Sequence, residues 1–227
     1  MSSPIVLVLI PVKERSMRLP GKNLKDLCGR PMMAYPIEAA LGANGVSRVV
    51  VTTESEKIKE IALQLGAEVP FIRPLELTED AITSQQVLVH ALDELKKLEG
   101  YEPDYVLLLY PTSPLLSRER IEQAIALAIE KDADSVISGH YDKGHYWLEA
   151  NGKGWRRLYP TELVNSQYQK PLFVENGAIY LTRTSILHTQ LVADRAEVLL
   201  MEPDENVDVD YPEDFAKVET ILEERQQ

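Results

Sequence analysis

Two stretches of this chain carry side chains whose types and spacing suit the handling of a polyphosphate. The first is Pro11-Val-Lys-Glu-Arg-Ser-Met-Arg-Leu-Pro-Gly-Lys22-Asn23, which gathers the cations Lys13, Arg15, Arg18 and Lys22. Cationic side chains and the backbone amides around Gly21 can together hold a triphosphate. The string is not a P-loop, because no glycine stands at the required earlier position and Asn23 replaces the hydroxyl residue that would hold Mg²⁺. A solvated basic loop is the plainer alternative. The second stretch is Glu205-Asn-Val-Asp208-Val-Asp210-Tyr-Pro-Glu-Asp214. Residues two apart in extended chain share a side, so Asp208 and Asp210 would aim two carboxylates at one point. Mg²⁺ suits such a pair, taking one or two carboxylates with phosphate oxygens and water. Helix-start chemistry competes for these acids: Asp210 can cap a helix opening at Pro212, with Glu213 and Asp214 favoured by its dipole. That leaves Asp208 without a role.

Two further loops carry weaker signals. In Phe71-Ile-Arg73-Pro-Leu-Glu-Leu-Thr-Glu-Asp80-Ala-Ile-Thr83-Ser84, Arg73 follows a short predicted strand and Ser84 stands where a helix begins. Free N–H groups there can meet a base edge or a ribose hydroxyl, although capping alone accounts for Thr83 and Ser84. Leu109-Tyr110-Pro-Thr-Ser-Pro114-Leu is a stiff turn after a strand, which needs no ligand to explain it. His90 falls within a helical pattern, His140 and His145 near a strand end, and His188 on a surface helix. None has metal-binding spacing, and no G-x-S-x-G elbow is present.

The elements that must position these loops alternate. Apolar runs at 4–10, 48–53, 68–71, 105–110, 135–138, 177–181 and 198–201 predict strands. Amphipathic spacing predicts helices over 32–43, 53–65, 83–98, 117–130 and 211–224, two of them opened by capping boxes, Thr53 with Glu56 and Thr83 with Gln86. Near-continuous apolar strands between such helices imply a doubly wound α/β fold with a mainly parallel sheet, whose ligands sit beyond the carboxyl ends of the strands. The rhythm breaks over 141–175, where glycines, prolines and both tryptophans predict a hairpin-bearing excursion. The length of 227 residues suits one domain, 1–227.

Bulk properties narrow the partners. The formal charge of −12, from 36 acidic and 24 basic residues, disfavours nucleic acid. A nucleotide site must then be a local basic pocket or use a metal. The single cysteine, Cys28, suits a reducing, cytoplasmic setting. The apolar run Ile5–Ile10 is too short for a membrane span and reads as a buried strand.

Taken in order, six strings resemble the acylneuraminate cytidylyltransferase family, the enzymes that make CMP-activated sialic acids and their bacterial relatives. They are Arg18-Leu-Pro-Gly-Lys22-Asn23, Val51-Thr-Thr-Glu54, Phe71-Ile-Arg73-Pro-Leu-Glu-Leu, Pro111-Thr-Ser-Pro-Leu, Glu175-Asn176-Gly-Ala-Ile-Tyr180 and Val207-Asp-Val-Asp210. The first also resembles the KDO cytidylyltransferases. The resemblance implies a nucleotide-diphospho-sugar transferase fold and transfer of CMP from CTP to the anomeric hydroxyl of an acidic 2-keto sugar, with release of pyrophosphate. It also implies a homodimer joined through the 141–175 excursion. On this likeness Lys22, Asp210 and Lys13 are catalytic, and Pro11, Lys13, Arg18, Lys22, Asn23, Arg73 and Ser84 meet the nucleotide. Tyr110, Ser166, Asn176 and Tyr180 belong to the sugar side, and Asp208 and Asp210 hold Mg²⁺. The chain departs from the family at Pro11-Val-Lys13, where Pro-Ala-Arg is usual, and at Met17, where a lysine is usual. Tyr110 stands in place of a glutamine and Ser166 in place of an arginine. Tyr110 and Ser166 fall on the expected sugar pocket and imply an acceptor other than ordinary N-acetylneuraminate. A KDO or other sugar nucleotidyltransferase, or a non-catalytic nucleotide-binding homologue, is the alternative.

Overall fold

The computed structural model describes residues 3–16, 18–159, 165, 168 and 170–225. Its main sheet has six strands in the order β10-β6-β9-β5-β1-β4. They are β1 (Val6–Pro11), β4 (Arg48–Thr52), β5 (Tyr105–Leu108), β6 (Ser135–Asp142), β9 (Leu172–Arg183) and β10 (Glu197–Leu200). Two short ribbons complete the strands, β2 (Asp26–Leu27) with β3 (Arg30–Pro31), and β7 (Trp147–Glu149) with β8 (Trp155–Arg157). The helices are α1 (Ala34–Gly42), α2 (Glu56–Gln64), α3 (Ser84–Glu99), α4 (Arg118–Lys131), α5 (Thr184–Leu187) and α6 (Pro212–Arg225).

Alternation of side chains across β1 explains why the sheet needs cover on both faces. Val6, Val8 and Ile10 pack with Ile37, Ile58, Ile121 and Ile125 of α1, α2 and α4. Leu7 and Leu9 pack with Leu88, Ala91, Leu92 and Leu95 of α3. A third cluster joins Val207, Val209, Phe215, Val218 and Leu222 to Leu19, Leu27, Met32 and Leu115. It seats α6 and the chain before it against the basic loop.

Strands β4, β1 and β5 run parallel, as do β6 and β10. β9 runs antiparallel to both β5 and β6. This direction matters, because it pairs Tyr180 with Leu108 at the carboxyl end of β5. The predicted strand at 68–71 reduces to a single bridge, Val50 to Glu68. The cap of α2 is also shifted from the expected box. Ser55, not Thr53, accepts from the Ile58 amide, while Thr53 Oγ1 accepts from the Ser55 amide. The Thr83–Gln86 box at α3 is present as predicted. The hairpin expected in the excursion is β7–β8, with Trp147 and Trp155 46% and 67% exposed.

The β6–β9 pairing shifts register between Ile137 and Gly139. A Cβ at Gly139 would stand 2.1 Å from the Val174 carbonyl oxygen. Backbone cannot yield there as a flexible side chain would. Gly139→Ala is therefore expected to destabilise the protein by about 1–3 kcal/mol, read from chemical denaturation midpoints.

Candidate functional site

The carboxyl ends of β1 and β5 open onto a cleft of about 430 Å³. Pro11, Lys13, Lys22, Asn23, Arg73, Ser84, Tyr110, Tyr180, Asp208 and Asp210 all line it. Residues far apart in the chain thus converge, as expected for a sheet of this kind. Arg18 reaches the site through Asp210 without lining the cleft. Ser166 lies outside the described residues.

The basic loop is shaped locally. Gly21 adopts a left-handed φ of 67° that side-chain-bearing residues avoid, and it turns the chain into a short 3₁₀ segment starting at Lys22. Lys22 is largely buried, and its Nζ donates to the Val209 carbonyl (2.8 Å) and to Asp210 Oδ1 (2.9 Å). Arg18 forms a second ion pair with Asp210. At the other side of the cleft Lys13 pairs with Asp80 at 3.3 Å. Three of the cations that could meet phosphate thus have carboxylate partners, which a bound triphosphate would displace.

The acidic segment owes its geometry to alternation. Val207 and Val209 are buried, so Asp208 and Asp210 face the other way and both reach the cleft. The Val209 amide donates to the Thr112 carbonyl (2.9 Å), fixing the segment against the Pro111-Thr-Ser-Pro turn. Arg120 of α4 supports the preceding turn through Glu205 at 2.6 Å. Asp210 does not cap α6. Asp214 Oδ2 accepts from the amides of Asp210 (3.1 Å) and Tyr211 (2.9 Å), leaving the Asp210 carboxylate to the cleft. Asp208 is solvent-accessible yet closely walled, and desolvation pushes its carboxyl above the usual range. A hydrogen bond from Thr112 opposes that shift and the Asp210 charge adds to it. A carboxylate short of positive charge, beside a second one, suits a divalent cation.

Asn23 is 5% exposed. Its Nδ2 donates to the Lys13 carbonyl (2.8 Å), and its Oδ1 is buried with no partner among the described residues. Arg73 is 3% exposed; its Nη2 donates to Glu54 Oε2 at 2.7 Å, and its Nε has no partner among the described residues. Burial lowers the Arg73 guanidinium, with the Glu54 bond opposing. Both residues line the cleft, while these two atoms lie unpartnered beneath its surface, which is costly for buried polar groups.

The other wall is aromatic and apolar. Tyr110 and Tyr180 meet edge to face at 6.2 Å, with Leu77, Ile82 and Val87 also lining the cleft. Both tyrosine hydroxyls have partners within the chain. Tyr110 bonds Ser84 Oγ at 2.5 Å, and Tyr180 donates to Glu175 at 3.0 Å. Burial raises both phenols, that of Tyr180 further because of Glu175. Asn176 does not line the cleft. It accepts from Ser138 Oγ (2.6 Å) and donates to Asn206 Oδ1 (2.8 Å), tying the start of β9 to the acidic segment. The apolar residues at 77, 82 and 87 were not legible as site residues, since isolated apolar side chains signal burial and nothing more. Thr112 lay within the Pro-Thr-Ser-Pro string that did mark the turn.

Known proteins resemble this chain in sequence and fold. The profile of the cytidylyltransferase family matches residues 7–227. The CMP-N,N'-diacetyllegionaminic acid synthase of Legionella pneumophila is 28% identical, over 98% of this chain and 98% of its own length. The N-acylneuraminate cytidylyltransferase of Escherichia coli O18:K1:H7 is 30% identical over 97% of this chain, which spans 52% of that protein. Among solved structures, a CMP:2-keto-3-deoxy-manno-octonic acid synthetase complexed with CTP superposes with a TM-score of 0.72 at 20% identity, over 97% of this chain and 99% of that one. The last likeness concerns the fold alone. By the match over nearly its whole length, this chain belongs to the cytidylyltransferase family of nucleotidyltransferases.

Proposed function

We propose that the protein transfers CMP from CTP to the anomeric hydroxyl of a nonulosonate, an acidic 2-keto sugar, and releases pyrophosphate. The observation that carries this reading is the convergence of Lys13, Lys22, Asn23, Arg73, Asp208 and Asp210 on one cleft. The Asn23 amide and the Arg73 guanidinium give it hydrogen-bonding groups for a cytosine edge, which offers an amino donor where uracil offers a carbonyl. The names of the Legionella and E. coli relatives support the sugar-acid half.

In this reading the sugar hydroxyl attacks the α-phosphorus in line, its proton passes to water, and the bond to the leaving pyrophosphate breaks. Such a transfer depends on positioning and charge neutralisation. Lys22, with Lys13 and Arg18, offsets the charge that builds on the leaving group. Asp208 and Asp210 would hold Mg²⁺, which supplies neutralisation of phosphate charge and a lowered pKa for the attacking hydroxyl. The exposed tryptophans of the β7–β8 ribbon support pairing with a second copy of the chain through this arm.

For the acceptor, the Tyr110–Tyr180 wall offers ring faces, since both hydroxyls already have partners. A sugar acid with an apolar or deoxy face there fits better than one bearing hydroxyls. The test is pyrophosphate release with each of four nucleoside triphosphates, Mg²⁺ and a panel containing N-acetylneuraminate, KDO, KDN, legionaminate and pseudaminate. Release is expected with CTP and a nonulosonate other than N-acetylneuraminate. Equal use of N-acetylneuraminate would remove the acceptor assignment, and CTP binding without turnover of any acid would favour a binding protein. Tyr110→Gln is expected to lower kcat/KM for the preferred acid by roughly 10- to 100-fold, the range for altered apolar pocket contacts.

A further inference from the structure

The Val51-Thr-Thr-Glu54 string is left without a role by the functions assigned so far. Its last residue has a demanding position. The Glu54 side chain is 10% exposed, and both carboxylate oxygens are in use. Oε1 accepts from the Glu14 amide (2.8 Å) and Oε2 accepts from Arg73 Nη2 (2.7 Å). The same Nη2 also donates to the Val12 carbonyl (3.4 Å). Backbone bonds complete the junction: the Val12 amide donates to the Thr52 carbonyl (3.0 Å) and the Arg73 amide to the Thr53 carbonyl (2.8 Å). Three loops, after β1, after β4 and before α3, therefore meet on one carboxylate.

Arg73 and Lys13 both line the cleft, while Glu54 does not. Arg73 is a buried guanidinium whose one ion-pair partner among the described residues is Glu54. Without that charge the guanidinium would be driven to find water or another anion, because an unpaired buried charge is strongly disfavoured. Loss of the Glu14 bond would free the backbone that sets Lys13 and, through its carbonyl, Asn23.

We propose that Glu54 is a positioning residue that holds Arg73 and the Lys13–Glu14 backbone in the geometry that receives the nucleotide. The proposal rests on the CTP reading above for its ligand. Its physical content, a clamp between three loops, can be measured without any ligand.

The experiment uses the full chain with Glu54→Gln and Glu54→Asp beside the parent. Amide exchange by NMR reads the clamp, calorimetry reads CTP binding without acceptor, and steady-state kinetics follow. Glu54→Gln keeps the shape but can serve only one partner as an acceptor. It is expected to speed exchange at the Glu14 amide and to weaken CTP binding about 10- to 100-fold, the weight of a charge-assisted hydrogen bond. KM for CTP should rise while KM for the sugar acid stays near the parent value. Glu54→Asp retains the charge and should recover part of the CTP affinity. Unchanged exchange at Glu14 would overturn the clamp. Faster exchange with parental CTP affinity, or a lower melting temperature with no split between the two KM values, would reduce Glu54 to a structural residue. A parent protein that binds no CTP would sink the proposed nucleotide instead, and the exchange result would still decide the clamp.

Discussion

Asp210→Asn is expected to lower kcat by on the order of 10²–10³ at saturating CTP and Mg²⁺. The carboxylate has two roles. It is the counter-ion of Lys22 and Arg18. In the proposed reaction it is one of two carboxylates that would hold Mg²⁺ beside the phosphates. Asparagine preserves the shape and can still accept a bond from Lys22, but it carries no charge. The two roles therefore separate experimentally. If charge on Asp210 serves the metal, turnover falls and the Mg²⁺ concentration for half-maximal rate rises. Metal-free CTP binding should hold steady or tighten, because Lys22 and Arg18 lose their competitor. If Asp210 only anchors the two cations, kcat at saturating Mg²⁺ stays at the parent value, and the residue leaves the mechanism.

The second large effect is expected at Lys22. It is the most buried of the loop cations, with a side chain 12% exposed against 42% for Lys13 and 57% for Arg18. A charge held in a partly dry site acts more strongly on phosphate than one in water. Removing it in Lys22→Ala should reduce kcat/KM for CTP by about 10²–10³-fold, the weight of one preorganised donor at a developing anion. Lys22→Arg should recover little, since its planar fork and added length do not fit a site sized for an ammonium that also reaches the Val209 carbonyl. Steady-state rates of pyrophosphate release check both variants. A parental kcat/KM in Lys22→Ala would show the basic loop to be surface only.

The ion pairs at the cleft bear on how so acidic a chain would receive the proposed triphosphate. Its formal charge of −12 repels anions at long range. Asp210 and Asp80 hold the loop cations in place, and in the proposed reaction ligand oxygens would replace those carboxylates. Asp208 and Asp210 would hold a divalent cation, whose charge would offset theirs beside the phosphates.

The sequence alone determined the doubly wound α/β architecture, because apolar strands with no polar face require helices on both sides. The alternation of Val207 and Val209 with Asp208 and Asp210 likewise announced two carboxylates on one side, a local property of extended chain. The parallel sheet expected from that pattern placed the candidate loops beyond the carboxyl ends of its strands, and the Thr83–Gln86 box was readable as local cap chemistry. What only the tertiary structure decided were the partners. Whether Asp210 caps α6 depended on Asp214, whose side chain takes the two free amides and leaves Asp210 to the cleft. The antiparallel course of β9, set by long-range pairing with β5 and β6, put Tyr180 beside Tyr110. The open Oδ1 of Asn23 became visible only once the Lys13 carbonyl had claimed its amide nitrogen. Local spacing states which side chains share a face. Which atoms are left unsatisfied depends on chain that arrives from tens of residues away.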